Sequence, residues 1–169
     1  MAIVTIQPTA NQTPDATLGG LAVTGASNTG HSSTTANAAA GGSQTKSCRW
    51  FTFPAVSGQF TSVTLKIDHT TSGLLIGPSP TNDFLLQYTV NGGGAWLSAV
   101  ARSNFTSAQG PTTFSVALST TQDTTQVQVR DLLDVNAPDL TDQSQCTATI
   151  ANIKLEIDVV TGYKPIWVG

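Results

Sequence analysis

Residues 62–68 read Ser-Val-Thr-Leu-Lys-Ile-Asp, with Val63, Leu65 and Ile67 alternating with Ser62, Thr64, Lys66 and Asp68. Successive side chains of a strand point to opposite faces, so a period of two means one buried and one wetted face. The same signature recurs on both sides of this stretch. Phe84, Leu86, Tyr88 and Val90 share one face of residues 84–90. Asn91-Gly92 then supplies two residues tolerant of positive φ, which makes residues 96–101 the return strand of a hairpin. Phe114, Val116 and Leu118 alternate with Ser115 and Ala117, and Val127 and Val129 alternate with Gln128 and Arg130. Within residues 147–159, Ile153, Leu155, Ile157 and Val159 share a parity that Ile150 breaks, which predicts a β-bulge near Ala151 or Asn152. Upstream, residues 49–53 read as a strand closed by Pro54, with Phe51 and Phe53 on one face and Trp50 on the opposite one. Two weaker β segments, residues 3–7 and 17–23, are separated by Pro8 and Pro14.

These segments give about eight to nine strands and no helical period of useful length. Parallel strands need crossover helices, so the sheets are antiparallel, and half-polar strands bury their apolar faces by stacking two sheets. The reading is an all-β antiparallel β-sandwich, jelly-roll-like. Its expected core is Val63, Leu65, Ile67, Phe84, Leu86, Tyr88, Phe114, Val116, Val127, Val129, Leu155 and Ile157.

The chain has 169 residues, a length suited to one domain. Seven Lys and Arg stand against ten Asp and Glu, for a net charge of −3, which argues against a nucleic-acid partner. Charged residues make up 10% of the chain against about 25% in an average soluble domain, so hydroxyl, amide and small side chains dominate the surface. No run of eighteen apolar residues exists to span a membrane as a helix, and residues 1–8 show no secretory signal pattern. Residues 24–46 are almost all Ser, Thr, Ala, Gly and Asn. The organisation expected is an extended N-terminal arm with a low-complexity linker (residues 1–46), a sandwich (47–162) and a C-terminal tail (163–169). Ordering a low-complexity run costs roughly 1 to 2 kcal/mol per residue for the backbone, and its small side chains bury little. Arm and tail are therefore expected to be ordered by other subunits through Ile3, Val4, Ile6, Ile166, Trp167 and Val168.

No catalytic constellation emerges. The two histidines are His31, inside the small-residue run, and His69, beside Asp68, and neither forms a triad pattern. The sole glutamate, Glu156, projects outward from a regular strand, which leaves a glycosidase only aspartates for its carboxylate pair. Residues 131–142 carry Asp131, Asp134, Asp139 and Asp142 without the spacing of a calcium loop, and read as a solvated turn. Cys48 and Cys146 have no zinc-ligand spacing. Each stands just before a well-patterned strand, and a jelly roll sets such strands side by side, so a disulfide or two free thiols both remain open. Trp96, near the hairpin tip, reads either as an exposed ring that stacks on a sugar or as packing over the mouth of the core.

The segments RWFTFP, SVTLKID, FLLQYTVNGG, TTFSVAL, VQVRD and IKLEIDV, within residues 49–159, resemble the jelly-roll proteins of tailed-phage particles. That resemblance implies a non-enzymatic structural protein on the virion surface, a capsid decoration or tail accessory subunit. Its partners would be other virion proteins and copies of itself, with no cofactor, nucleic acid or membrane. The same segments resemble bacterial carbohydrate-binding modules of this architecture, although a signal peptide and a row of aromatics are missing. That alternative implies an extracellular adhesin-like module for cell-surface glycans, with Trp96 as the glycan contact.

Overall fold

The computed structural model describes residues 2–161 and shows twelve strands among them: β1 (Ala2–Ile6), β2 (Ala10–Gln12), β3 (Leu21–Ala22), β4 (Ala26–Ser27), β5 (Gly30–Ala39), β6 (Gly42–Phe51), β7 (Phe60–Ile76), β8 (Thr81–Thr89), β9 (Leu97–Ser103), β10 (Gln109–Leu118), β11 (Gln128–Ala137) and β12 (Gln143–Val159). One sheet runs β10-β7-β12-β5-β4 and the other β2-β6-β11-β8-β9. The antiparallel pairs β8/β9, β7/β10, β6/β11 and β5/β12 are the successive rungs of one long hairpin rolled into two layers. That is a jelly roll, as the alternation pattern implied.

β7 and β12, each of 17 residues, form the spine of the first sheet. β5 covers Gln143 to Ile150 of β12, and β1 takes over the same edge from Leu155 to Val159. The change of neighbour falls at the expected bulge. Asn152 sits at φ 51, the β7 register shifts between Ala151 and Lys154, and Ile150 and Ile153 both turn inward. Gly30 is required beside it, because a Cβ there would lie 2.1 Å from the Ile150 carbonyl oxygen.

The core follows the expected register, with two members set apart. Val63, Leu65, Ile67, Phe84, Leu86, Tyr88, Val127, Val129, Leu155 and Ile157 are buried, while Phe114 and Val116 are half-buried because β10 is an edge strand. The reading of residues 49–53 requires correction. Trp50, opposite Val129, is the inward side chain, and its indole N–H is satisfied by the Ser27 carbonyl at 2.9 Å. Phe51 is half-buried; Thr52, at φ 62, turns the chain so that Phe53 is buried after the strand has ended.

The division into arm and sandwich also gives way. β5 lies between β12 and β4, and β6 lies inside the second sheet. His31, Thr34, Ala36 and Ala38 are buried. Backbone ladders to β11 and β12 order this small-residue run, so no partner is needed for it.

Candidate functional site

Cys48 and Cys146 are free, buried thiols. They lie on β6 and β12, strands of opposite sheets, so the adjacency expected for a bridge is absent. Burial pushes both thiols up, Cys146 to about 12, and the Asp131 charge adds to the effect. Among the proposed subunit contacts, Ile3 is 73% exposed, whereas Val4 and Ile6 pack against the core. Ile166, Trp167 and Val168 lie outside the described residues.

The acidic stretch is not a solvated turn. Asp131 and Asp134 belong to β11, and Asp131 is fully buried beneath His31 of the other sheet. Asp142, also buried, closes the 138–142 turn by accepting from the Asp139 N–H at 3.2 Å. The parity of Val127 and Val129 already carried this information, since extending it puts Asp131, Leu133, Val135 and Ala137 inward.

The same parity puts Arg130, Leu132 and Asp134 on the outer face of the second sheet. Register then assembles rows across β6, β11, β8 and β9. One row is Arg49, Arg130 and Gln87, extended by Gln12 of β2. The next is Ser47, Leu132, Leu85 and Ala101, of which Ser47 is buried beneath residues 15–19, accepting from the Asp15 N–H and donating to the Gly19 carbonyl; the third is Thr45, Asp134, Asp83 and Ser103. Rows two residues apart along a strand are separated by roughly 7 Å. The middle row floors a depression of about 300 Å³ that Asp83, Ser103 and Leu132 help to line.

Trp96 stands immediately before β9, half-buried, and is not a bare ring. The Arg130 guanidinium lies over it, 4.0 Å from its centroid. Arg130 Nε donates to Gln87 Oε1 at 2.9 Å and its terminal nitrogen to Thr17 Oγ1 at 3.2 Å, which fixes the plane. Burial pulls this guanidinium below its ordinary pKa, with Asp15 opposing and Arg49 adding to the shift. In the acidic row, Thr45 donates to Asp134 at 2.6 Å. The face thus offers an apolar strip between a cationic amide-bearing row and a carboxylate row. Trp96 belongs to it, and sequence reading missed the rest because outward-facing polar residues look alike until register pairs them.

No family model matches the chain, and no curated protein matches it. The solved structures that it is similar to include three carbohydrate-binding modules. A family 61 carbohydrate-binding module in complex with β-1,4-galactotriose is 13% identical over 90% of this chain and 86% of its own, with a TM-score of 0.30. A family 4 carbohydrate-binding module is 11% identical over 92% and 94%, with a TM-score of 0.31. A family 28 module specific for non-crystalline cellulose is 10% identical over 68% and 66%, with a TM-score of 0.32. At these scores the likeness fixes neither site nor ligand.

Proposed function

We propose that the chain is a non-catalytic carbohydrate-binding module that lays a glycan across the outer face of β11, β8 and β9. The observation that carries this reading is the row pattern. An apolar strip of Leu132, Leu85 and Ala101 is flanked on one side by the Arg130 guanidinium stacked on Trp96 and on the other by Asp134 and Asp83. A pyranose has C–H-rich faces and a rim of hydroxyls, so it needs an apolar floor with fixed donors and acceptors at the edges. Affinity electrophoresis and glycan-array binding of the wild type and Trp96→Ala test it. Binding that weakens about tenfold or more in the variant, with melting behaviour retained, is expected. Glycan binding indifferent to Trp96→Ala overturns the site.

The expected role as a virion structural subunit stays as a second reading because of one observation. Ile3 is exposed on β1, which pairs only with β12 among the described residues and so leaves an edge open to another copy. Sedimentation velocity separates the two: self-association abolished by Ile3→Lys, with no glycan bound, favours the assembly role.

A further inference from the structure

We infer that Arg49 and Arg130 form an anion subsite on this face, built for the carboxylate of a uronic-acid residue. The inference rests on the carbohydrate reading and specifies its ligand class. Arg49 and Arg130 are directly opposed across β6 and β11. Like charges in that relationship repel, so the pairing weakens the sheet unless an anion offsets it.

The protein's own groups offset it only in part. Arg49 donates to Gln12 Oε1 at 2.8 Å, and Arg130 donates to Gln87 and Thr17, all neutral acceptors. Among the described residues, the one carboxylate within 4.0 Å of either guanidinium is Asp15, whose Oδ1 lies at 4.0 Å from Arg49 Nε. That Oδ1 already accepts from the Thr17 N–H and hydroxyl, both at 2.8 Å. Arg49 Nε and Asp15 Oδ2 are both buried and neither makes a hydrogen bond, so an incoming anion would meet the exposed terminal nitrogens of Arg49 rather than its Nε. Asp134 and Asp83 belong to the row beyond the apolar strip, and Asp134 is engaged by Thr45. Two cations therefore share one buried carboxylate, Asp15, which acts on both, and the pair keeps a net positive charge.

Both cations are held in place before any ligand arrives. Arg49 lies 5.2 Å over the Phe51 ring and Arg130 4.0 Å over Trp96, and Arg49 keeps 23% of its side chain exposed. A guanidinium is a planar fork that matches a carboxylate with two parallel hydrogen bonds. A neutral sugar would leave the charge in excess of Asp15 uncompensated. A uronate bound with its ring on Leu132 and Leu85 would bring its carboxylate to the arginine row, one row away.

The test is calorimetric titration of the full chain with polygalacturonate, neutral galactan and dextran sulfate. Polygalacturonate binding is expected, weakening about tenfold or more in Arg49→Gln and falling as salt rises from about 50 to about 500 mM. The salt response of the wild type needs no folded variant. Galactan bound as tightly as polygalacturonate and unaffected by Arg49→Gln overturns the anion subsite and leaves the carbohydrate reading standing. Dextran sulfate bound as tightly as polygalacturonate overturns the carboxylate preference. Failure of all three polymers to bind overturns the inference, and silence on a broad glycan array as well removes the carbohydrate reading with it.

Discussion

His31 Nε2 and Asp131 Oδ2 lie 2.7 Å apart, with neither side chain exposed, and they join β5 of one sheet to β11 of the other through the core. The other carboxylate oxygen of Asp131 accepts the Cys48 N–H at 3.0 Å, and the His31 ring rests 6.0 Å from the Trp50 ring. One carboxylate thus ties three strands, and its neighbours are apolar.

Removing one partner of such a pair leaves the other buried and unsatisfied, at a cost of about 3 to 5 kcal/mol. Asp131→Ala and His31→Ala are each expected to destabilise on that scale in urea denaturation. The double variant is expected to cost clearly less than the sum, because the second deletion removes the stranded group. Additive losses would mean that the two side chains do not interact.

Why the fold was legible while this pair was not comes down to what carries order in each place. Val63, Leu65, Ile67 and their counterparts announce their faces by apolar volume. Residues 30–39 announce nothing by volume, since Thr34, Ala36 and Ala38 are small, and their order comes from the β12 ladder. Asp131 was hidden for the opposite reason: a charged side chain in a core position is rare unless paired, so the pattern suggested a loop. Its partner lies 100 residues away in sequence. The arginine row is likewise non-local, because only β-register sets Arg49 beside Arg130.

Free and buried, the two cysteines make a direct prediction. The thiolate is the reactive form, and burial keeps both thiols protonated. Ellman's reagent is expected to find no accessible thiol in the native protein and two per chain once it is unfolded. Reductant is expected to leave the melting temperature unchanged. A single lower-mobility species that appears only on reduction would point to a bridge instead.

His69 supplies a pH dependence. Burial lowers its pKa from the ordinary 6.5 and Arg102 adds to this, against opposing contributions from a backbone hydrogen bond at Ile67 and the Asp68 charge. Between the folded value and 6.5 the unfolded chain binds more protons than the folded one, so stability rises with pH there and is lost as pH falls below 6.5. Asp68 acts elsewhere: its pKa is lowered from 3.8 by hydrogen bonds from Thr113 and Asn152, and its contribution is lost only at more acid pH. Urea midpoints at about pH 7.5 and about pH 5.5 should differ more in the wild type than in His69→Gln. Equal differences would exclude His69 as the source.

The sharpest departure from the sequence reading concerns residues 1–46, because an accessory arm and an integral part of the sandwich predict opposite results on deletion. Removing them takes away β1 to β5 and the first half of β6. β12 then loses the neighbour that pairs with Gln143 to Ile150, and β11 loses its partners from Leu133 to Ala137. Asp131 loses His31, and the cavity left by Thr34, Ala36 and Ala38 opens the core to water. Each unpaired backbone group that stays buried adds about 1 to 3 kcal/mol to the deficit, which together exceeds the 5 to 15 kcal/mol stability of a typical domain. The deleted chain is expected to lack a cooperative melting transition and the β-sheet circular dichroism of the full chain. Slow amide exchange is expected at Ala36 and Ala38 of the isolated full-length monomer, without any partner. A folded, monomeric product from residues 47–169 would restore the accessory-arm reading.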